Sequence, residues 1–284
     1  MSASADANSD ICLSTLRETD RDRYLACLLS PEDKRGALAA LYAFNAEIAK
    51  IRDVIRQPLA GEIRLQWWRG QFEEGPNEEA DANPVAAALF AAVETYRLPR
   101  QTFVDMLDAR IFDLYDDAFP DRNALEGYAG ETASALIQLA GLILSPADAA
   151  RSATAAGHAG VAHAISGALL LMPIHSTRGQ LYIPLDLLSA VGLDRETFLA
   201  GDDKVRISAA IEAFAGLGLD HLGKARAAGK IPASLMPAFL PATAADAILK
   251  KARKLGASVL EQSLLPLQWR RQLRMVSALL RRSI

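Results

Sequence analysis

The sequence predicts an all-α fold, a single-domain bundle of helices, on three observations. The apolar half of the composition is dominated by Ala and Leu with few β-branched runs, which favours helix over strand. Apolar residues recur at spacings of three, four and seven, as in Leu38, Leu41, Ile48, Ile51 and Ile55, the signature of one buried helical stripe. Pairs such as Ser30-Pro31, Gln57-Pro58 and Gly75-Pro76 punctuate these stretches as turns. At 284 residues the chain can bury a substantial core. No internal repeat, Gly/Ser linker or composition shift marks a boundary. One helical domain over residues 19–284 is expected, behind a disordered N-terminus over residues 1–18.

The elements follow in order. Asp20 to Leu29 reads as a short first helix. Pro31-Glu32-Asp33 opens a long one, with Ser30 as N-cap, proline in the first turn and acids facing the helix dipole. Gln57-Pro58 ends it, and Gly61 to Phe72 forms the next. Glu73 to Pro84, acidic and carrying Gly75-Pro76, reads as a solvated loop. Helices are expected over Val85 to Tyr96, Pro99 to Tyr115, Asn123 to Leu144 and Pro146 to Met172. Pro173 to Pro184 interrupts the pattern. Helices resume at Leu185, at Asp203, at or soon after Pro237, and at Pro266.

Composition excludes several classes of function. A net charge of −3 gives no electrostatic footprint for nucleic acid. No stretch approaches the ~18 apolar residues of a membrane-spanning helix. Met1 to Asp10 is polar and slightly acidic, unlike a signal or transit peptide, so a cytoplasmic location is expected. Cys12 and Cys27 lack metal-ligand spacing and read as free thiols in a reducing compartment.

Four groups of residues invite a chemical reading. On the long helix, Ala46, Ala49, Lys50 and Asp53 share a face. A Mg²⁺ site needs several carboxylates there. One acid beside Lys50 and Arg52 holds a cation poorly, so this face reads as ordinary and partly solvated. Asp105, Asp108, Asp113, Asp116 and Asp117 form the densest acidic cluster. At ~100° per residue they lie mostly opposite Phe103, Leu107, Ile111 and Leu114, so a solvated face is expected rather than a metal site. His158, His163, His175 and His221 show no HExxH spacing and read as structural. His175 and Arg178 fall on the helix-breaking segment, where polar residues serve binding. At the C-terminus Trp269, Leu273, Val276 and Leu280 form an apolar stripe beside five Arg. It reads first as a last bundle helix with a charged outer face. The other reading is a contact with anionic lipid or an acidic protein partner. Trp67-Trp68 reads as core or pocket wall. No nucleophile elbow, P-loop or GxGxxG occurs.

Together these segments resemble the squalene/phytoene synthase family, from Tyr24 to the last helix. Lys34-Arg35 and Ala40-Leu41-Tyr42-Ala43-Phe44 look like the lead into that family's first Asp-rich motif. Arg64-Leu65-Gln66-Trp67-Trp68-Arg69 looks like its next signature. Gly160-Val161-Ala162 and Arg178-Gly179-Gln180-Leu181-Tyr182-Ile183-Pro184 look like the frame of its second Asp-rich motif. The frame is kept and the content is not. The family's Asn, Arg and Asp positions are Gly167, Leu170 and Leu171 here, His175 stands for its second Asp, and Gln180 for an Arg.

The departures are themselves similar to one subfamily, complex I assembly factor 6. Phe44-Asn45-Ala46-Glu47 with Ala49, Asp53, Arg64 and Gln66 carries that likeness. His158-Ala-Gly160, Pro173-Ile-His175-Ser-Thr-Arg178, Pro184-Leu-Asp186 and Met236-Pro-Ala-Phe-Leu240 extend it. The resemblance implies the class I isoprenoid synthase bundle and a non-catalytic part in assembling respiratory NADH dehydrogenase. It implies no cofactor, and as partner a complex I subunit or assembly intermediate. Asn45, Glu47, Asp53, Arg64, Gln66, His158, His175 and Arg178 would then be the polar residues of the old substrate pocket. That pocket would bind a partner segment, an isoprenoid or lipid tail, or nothing. The alternatives are an active Mg²⁺-dependent prenyl transferase joining two allylic diphosphates, and a binder of isoprenoid without chemistry. A peripheral contact with the inner face of the cytoplasmic membrane, through the C-terminal helix, is the remaining expectation.

Overall fold

Helix follows helix through the computed structural model, which describes residues 3–55 and 57–284, and no strand occurs among them. The first eight helices are α1 (Ala3–Thr19), α2 (Arg21–Leu28), α3 (Glu32–Ala49), α4 (Ile51–Val54), α5 (Pro58–Glu73), α6 (Glu78–Ala82), α7 (Pro84–Tyr96) and α8 (Arg100–Ile111). Then come α9 (Arg122–Ala129), α10 (Ala135–Leu144), α11 (Pro146–Arg151), α12 (Ala153–Leu170), α13 (Met172–Thr177), α14 (Leu185–Ala190) and α15 (Arg195–Ala200). The last are α16 (Lys204–Ala227), α17 (Met236–Phe239), α18 (Ala245–Leu255) and α19 (Gln268–Arg281). Among the described residues no helix is long and apolar enough to cross a membrane.

The chain forms two compact units, interleaved in sequence. The first comprises residues 1–114, 135–153 and 232–241; the second comprises 115–134, 154–231 and 242–284. Helix α3 is the axis of the first unit. Every residue from Leu38 to Ala46 is buried, so the helix is covered on all sides rather than along one stripe. Four of these residues are Ala, and their small side chains let α1, α2, α7, α8 and α10 approach it. Aromatic rings fill the space beside it: Phe44 meets Trp68 edge-on at 4.8 Å, and Phe72 stacks on Phe103 at 4.6 Å.

The expected disorder over residues 1–18 is replaced by α1, apart from Met1 and Ser2, which lie outside the described residues. The physical reason is Cys12 and Leu16, which are fully buried where α1 packs on α3 and α7. Burial pushes the Cys12 and Cys27 thiols up to about 12, so both stay protonated and inert near neutral pH. Ser30 does not cap α3. Its hydroxyl donates to the Cys27 carbonyl, and Pro31 takes the N-cap position without a side-chain bond. The acidic loop contains α6, because the Asn77 side chain accepts the Ala80 N–H and caps a turn.

In the second unit, α16 packs on α18. A Cβ on Gly218 of α16 would press on Leu249 of α18 and Ile165 of α12, so the absence of a side chain sets that spacing. Asn123 to Leu144 is not one helix. After α9 the chain takes a π-helical turn over Gly130–Ser134. There Thr132 donates to the Tyr128 carbonyl and Ser134 to the Gly157 carbonyl, at 2.6 and 2.7 Å. Gly160 on α12 lies against Ser134 so closely that a Cβ would overlap the Ser134 backbone. Pro146 to Met172 likewise breaks at Ser152, the C-cap of α11. Part of the segment read as interrupted is helical, as α13, which Pro173 starts at its first turn.

Candidate functional site

In the first unit, α3 and α5 present the site. Glu47, in the last turn of α3, reaches Arg64 on α5, whose Nη2 donates to Oε1 at 2.9 Å. This pair edges a recess of about 470 Å³ lined by Ile55, Ala60, Ile63, Trp67, Glu79 and Asn83. Trp67 walls it and donates its Nε1–H to Glu79 Oε2 at 3.1 Å. Behind it Trp68 is fully buried and meets Trp67 edge-on at 5.0 Å. The adjacent indoles of the sequence thus divide their roles, one in the wall and one in the core.

The other expected site residues of this unit do not join that recess. Asn45 is buried within α3, Asp53 is exposed on α4, and Gln66 points to a second recess of about 230 Å³. That second recess includes Leu59, Arg69, Leu107 and Asp108. The reason is helical geometry: Arg64 and Gln66 are two residues apart on α5 and so cannot share a face.

Three acids of α8 and the turn after it are engaged by side chains, two from the same segment and one from α5. Asp105 accepts from Gln101 at 2.8 Å, Asp108 pairs with Arg69, and Asp113 accepts from Arg110 at 2.8 Å. Asp113 is buried rather than solvated, because the chain tightens into a 3-10 turn over Phe112–Leu114 and folds it inward. Among the described residues, no three His, Cys, Asp or Glu side chains are grouped so as to hold a metal ion. The helix breaks at Lys50 between α3 and α4, and the residues beside Glu47 and Asp53 in sequence include Ala46, Ala49 and Lys50. Two carboxylates, of which Glu47 is held by the Arg64 guanidinium, beside Lys50 are a poor donor set for a hard divalent cation.

In the second unit, His158 on α12 faces His221 on α16, with the two Nδ1 atoms 3.1 Å apart. His221 Nε2 lies 3.2 Å from Glu126 Oε1 on α9. A proton on His221 Nε2, donated to the carboxylate, leaves His221 Nδ1 to accept from His158. Burial, then the neighbouring His221 and Lys224, hold His158 below the usual imidazole range, while Glu126 acts the other way. His221, read as structural, takes this buried position; Glu126 and the pairing itself were missed by sequence reasoning, since 63 and 95 residues separate these partners and no spacing rule connects them. His175 lies on α13 with its ring 4.8 Å from that of Tyr182. Arg178 is exposed at the C-cap of the same helix.

These features define a class: the all-α scaffold of the squalene/phytoene-type isoprenoid synthases. The crystal structure of squalene synthase HpnC from Alicyclobacillus acidocaldarius superposes with a TM-score of 0.75 at 17% identity, covering 90% of this chain and 97% of that one. A dehydrosqualene synthase structure with ligand gives 0.75 at 19% identity, over 96% and 95%. The chain belongs to the squalene/phytoene synthase family, whose family model matches residues 16–276. It is similar to NADH dehydrogenase (ubiquinone) complex I, assembly factor 6, of Rattus norvegicus and Homo sapiens. Each is 32% identical over 254 residues, covering 89% of this chain and 76% of the relative. A weaker likeness, 25% over 72% of this chain and 64% of the relative, links it to 15-cis-phytoene synthase of Synechocystis.

Proposed function

We propose that this chain is a non-enzymatic assembly factor for respiratory complex I, built on a synthase scaffold that has lost its prenyl-transfer chemistry. The observation that carries the loss is the Glu47–Arg64 pair. Prenyl transfer needs metal-bridging carboxylates on this helix and on a second one to draw diphosphate off its carbon. Here the nearest carboxylate is tied to a guanidinium at 2.9 Å, and the neighbouring face carries Ala46 and Ala49. In the second frame Leu171 and His175 replace acids. The residues present therefore do not fit Mg²⁺, and no cofactor belongs to this reading. The likeness to assembly factor 6 across 89% of the chain supports a role in building NADH dehydrogenase.

In this reading the recess bounded by Glu47, Arg64 and Trp67 receives a segment of a complex I subunit or assembly intermediate. The paired charges at its edge are exchanged for partner groups. The protein acts in the cytoplasm, at the inner face of the membrane where its client is inserted. A second reading, an active head-to-head prenyl transferase, draws on the weaker likeness to phytoene synthases of Synechocystis and Solanum lycopersicum. The test separates them. Purified protein incubated with farnesyl or geranylgeranyl diphosphate and Mg²⁺ releases no pyrophosphate above a no-protein control. Steady release that stops with EDTA would establish the enzyme instead.

A further inference from the structure

Helix α19 is turned the other way from the expected bundle helix. Its bundle-facing residues are Met275 and Ala278, which are buried. The stripe read as its inner face is outside: Trp269 is 54% exposed, Leu273 59% and Leu280 81%. At ~100° per residue, Val276 and these three lie within about 40° of Trp269, opposite Ala278. Leu265 and Leu267 continue the apolar surface into the preceding turn. The helix is held at its end by backbone, not by this face. The Ile231 N–H donates to the Arg282 carbonyl, and Arg226 Nε donates to the Ile284 carbonyl at 2.6 Å.

Charge says what covers it. Residues 262–284 contain five Arg and no Asp or Glu, in a chain whose net charge is −3. Positive charge is thus concentrated beside the exposed apolar stripe, and the rest of the chain is acidic. Arg270, Arg274 and Arg281 share one flank of the stripe, and the Arg270 guanidinium lies 5.2 Å from the Trp269 ring centre. An indole beside guanidinium groups, above a row of Leu and Val, matches the layering of a bilayer surface, with phosphates over acyl chains. A protein groove would satisfy the apolar row without needing an all-basic flank. We infer that α19 is an interfacial helix that docks the protein on an anionic phospholipid surface, Trp269, Leu273 and Leu280 entering the acyl boundary and Arg270 and Arg281 pairing with headgroup phosphates.

The test is flotation of the full chain with vesicles of phosphatidylcholine alone, and of phosphatidylcholine with about one third phosphatidylglycerol. Protein floats with the anionic vesicles, at least about tenfold more than with the neutral ones. Raising salt from about 0.05 M to about 0.5 M reduces this about tenfold, as screened charge requires. The double variant Leu273→Glu, Leu280→Glu, at exposed positions and with an unchanged circular-dichroism spectrum, loses flotation. In Trp269→Phe binding persists while the vesicle-induced blue shift of tryptophan emission disappears. Equal flotation on both vesicles, none on either, or an unaffected double variant would overturn the inference. A concentration-dependent dimer abolished by the double variant would overturn it in favour of a second copy of this chain.

Discussion

Burial makes a charged His158 costly in the folded protein, and the neighbouring His221 and Lys224 add to the cost, against an opposing pull from Glu126. The consequence for stability has a definite sign. Unfolded, His158 titrates at ~6.5; folded, it titrates lower. Between those values the unfolded chain binds more protons, so this contribution is complete above the unfolded value and is lost as pH falls toward the folded one. Urea unfolding at pH 7.5 and 5.5 should show the wild type weakening, by at most about 1.4 kcal/mol per pH unit from this group. His158→Gln should flatten the dependence in that window. Equal slopes for the two proteins would show that the pair does not carry it. The carboxylates of Asp148, held down by the Ser234 and Ser145 hydroxyls, of Asp194, held down by the Thr197 hydroxyl and N–H, and of Asp246, which burial pulls up but Lys250 and Arg226 together hold below its usual range, act only at lower pH.

Helices are where sequence and structure agree most, and their breaks are where they part. The starts at Arg21, Pro84 and Arg100 follow from local signals, an aspartate cap or proline at or just before the first turn, whereas Pro58, read as the stop of the long helix with the next beginning at Gly61, opens α5 itself. The π turn at Gly130–Ser134 does not. It exists because Ser134 bonds across to Gly157 and presses on Gly160, a contact between segments 23 to 26 residues apart that no window of periodicity contains. Gly157 and Gly160, one turn apart on α12, separate the two effects. A Cβ at Gly157 meets open space, whereas one at Gly160 overlaps Ser134. Gly160→Ala should destabilise by about 1–3 kcal/mol from overpacking. Gly157→Ala should leave stability unchanged or raise it by up to about 1 kcal/mol from helix propensity alone. Denaturant midpoints measure both, and equal effects would contradict the close crossing. The same limit explains α19. An amphipathic pattern identifies two faces, but it does not say which one the rest of the chain covers, and here the apolar stripe, with Arg270 and Arg281 beside it, remains outside.

For the whole molecule, the synthase scaffold was legible because it rests on many ordered signatures spread from Lys34-Arg35 to Tyr182-Ile183-Pro184. The candidate site was legible only in part. Arg64 and Glu47 were named from motif positions and do meet, whereas Trp67 and Glu79 enter the same recess through a side-chain hydrogen bond between α5 and α6. Their meeting depends on the capped turn at Asn77, which the composition of an acidic loop conceals. Gln66 was named with Arg64 and turns to another recess, since motif position carries no direction until the helix phase is known. In the proposed function the inherited pocket no longer drives ionisation of a diphosphate and serves assembly of NADH dehydrogenase instead. The most direct measurement is the amount of fully assembled enzyme on native gels from a strain lacking the gene, complemented with wild type or with Arg64→Glu. A strong loss of the assembled complex, restored by wild type but not by Arg64→Glu produced at equal level, is the predicted result. Normal assembly in the deletion strain, accompanied by loss of a squalene- or phytoene-type product, would contradict it.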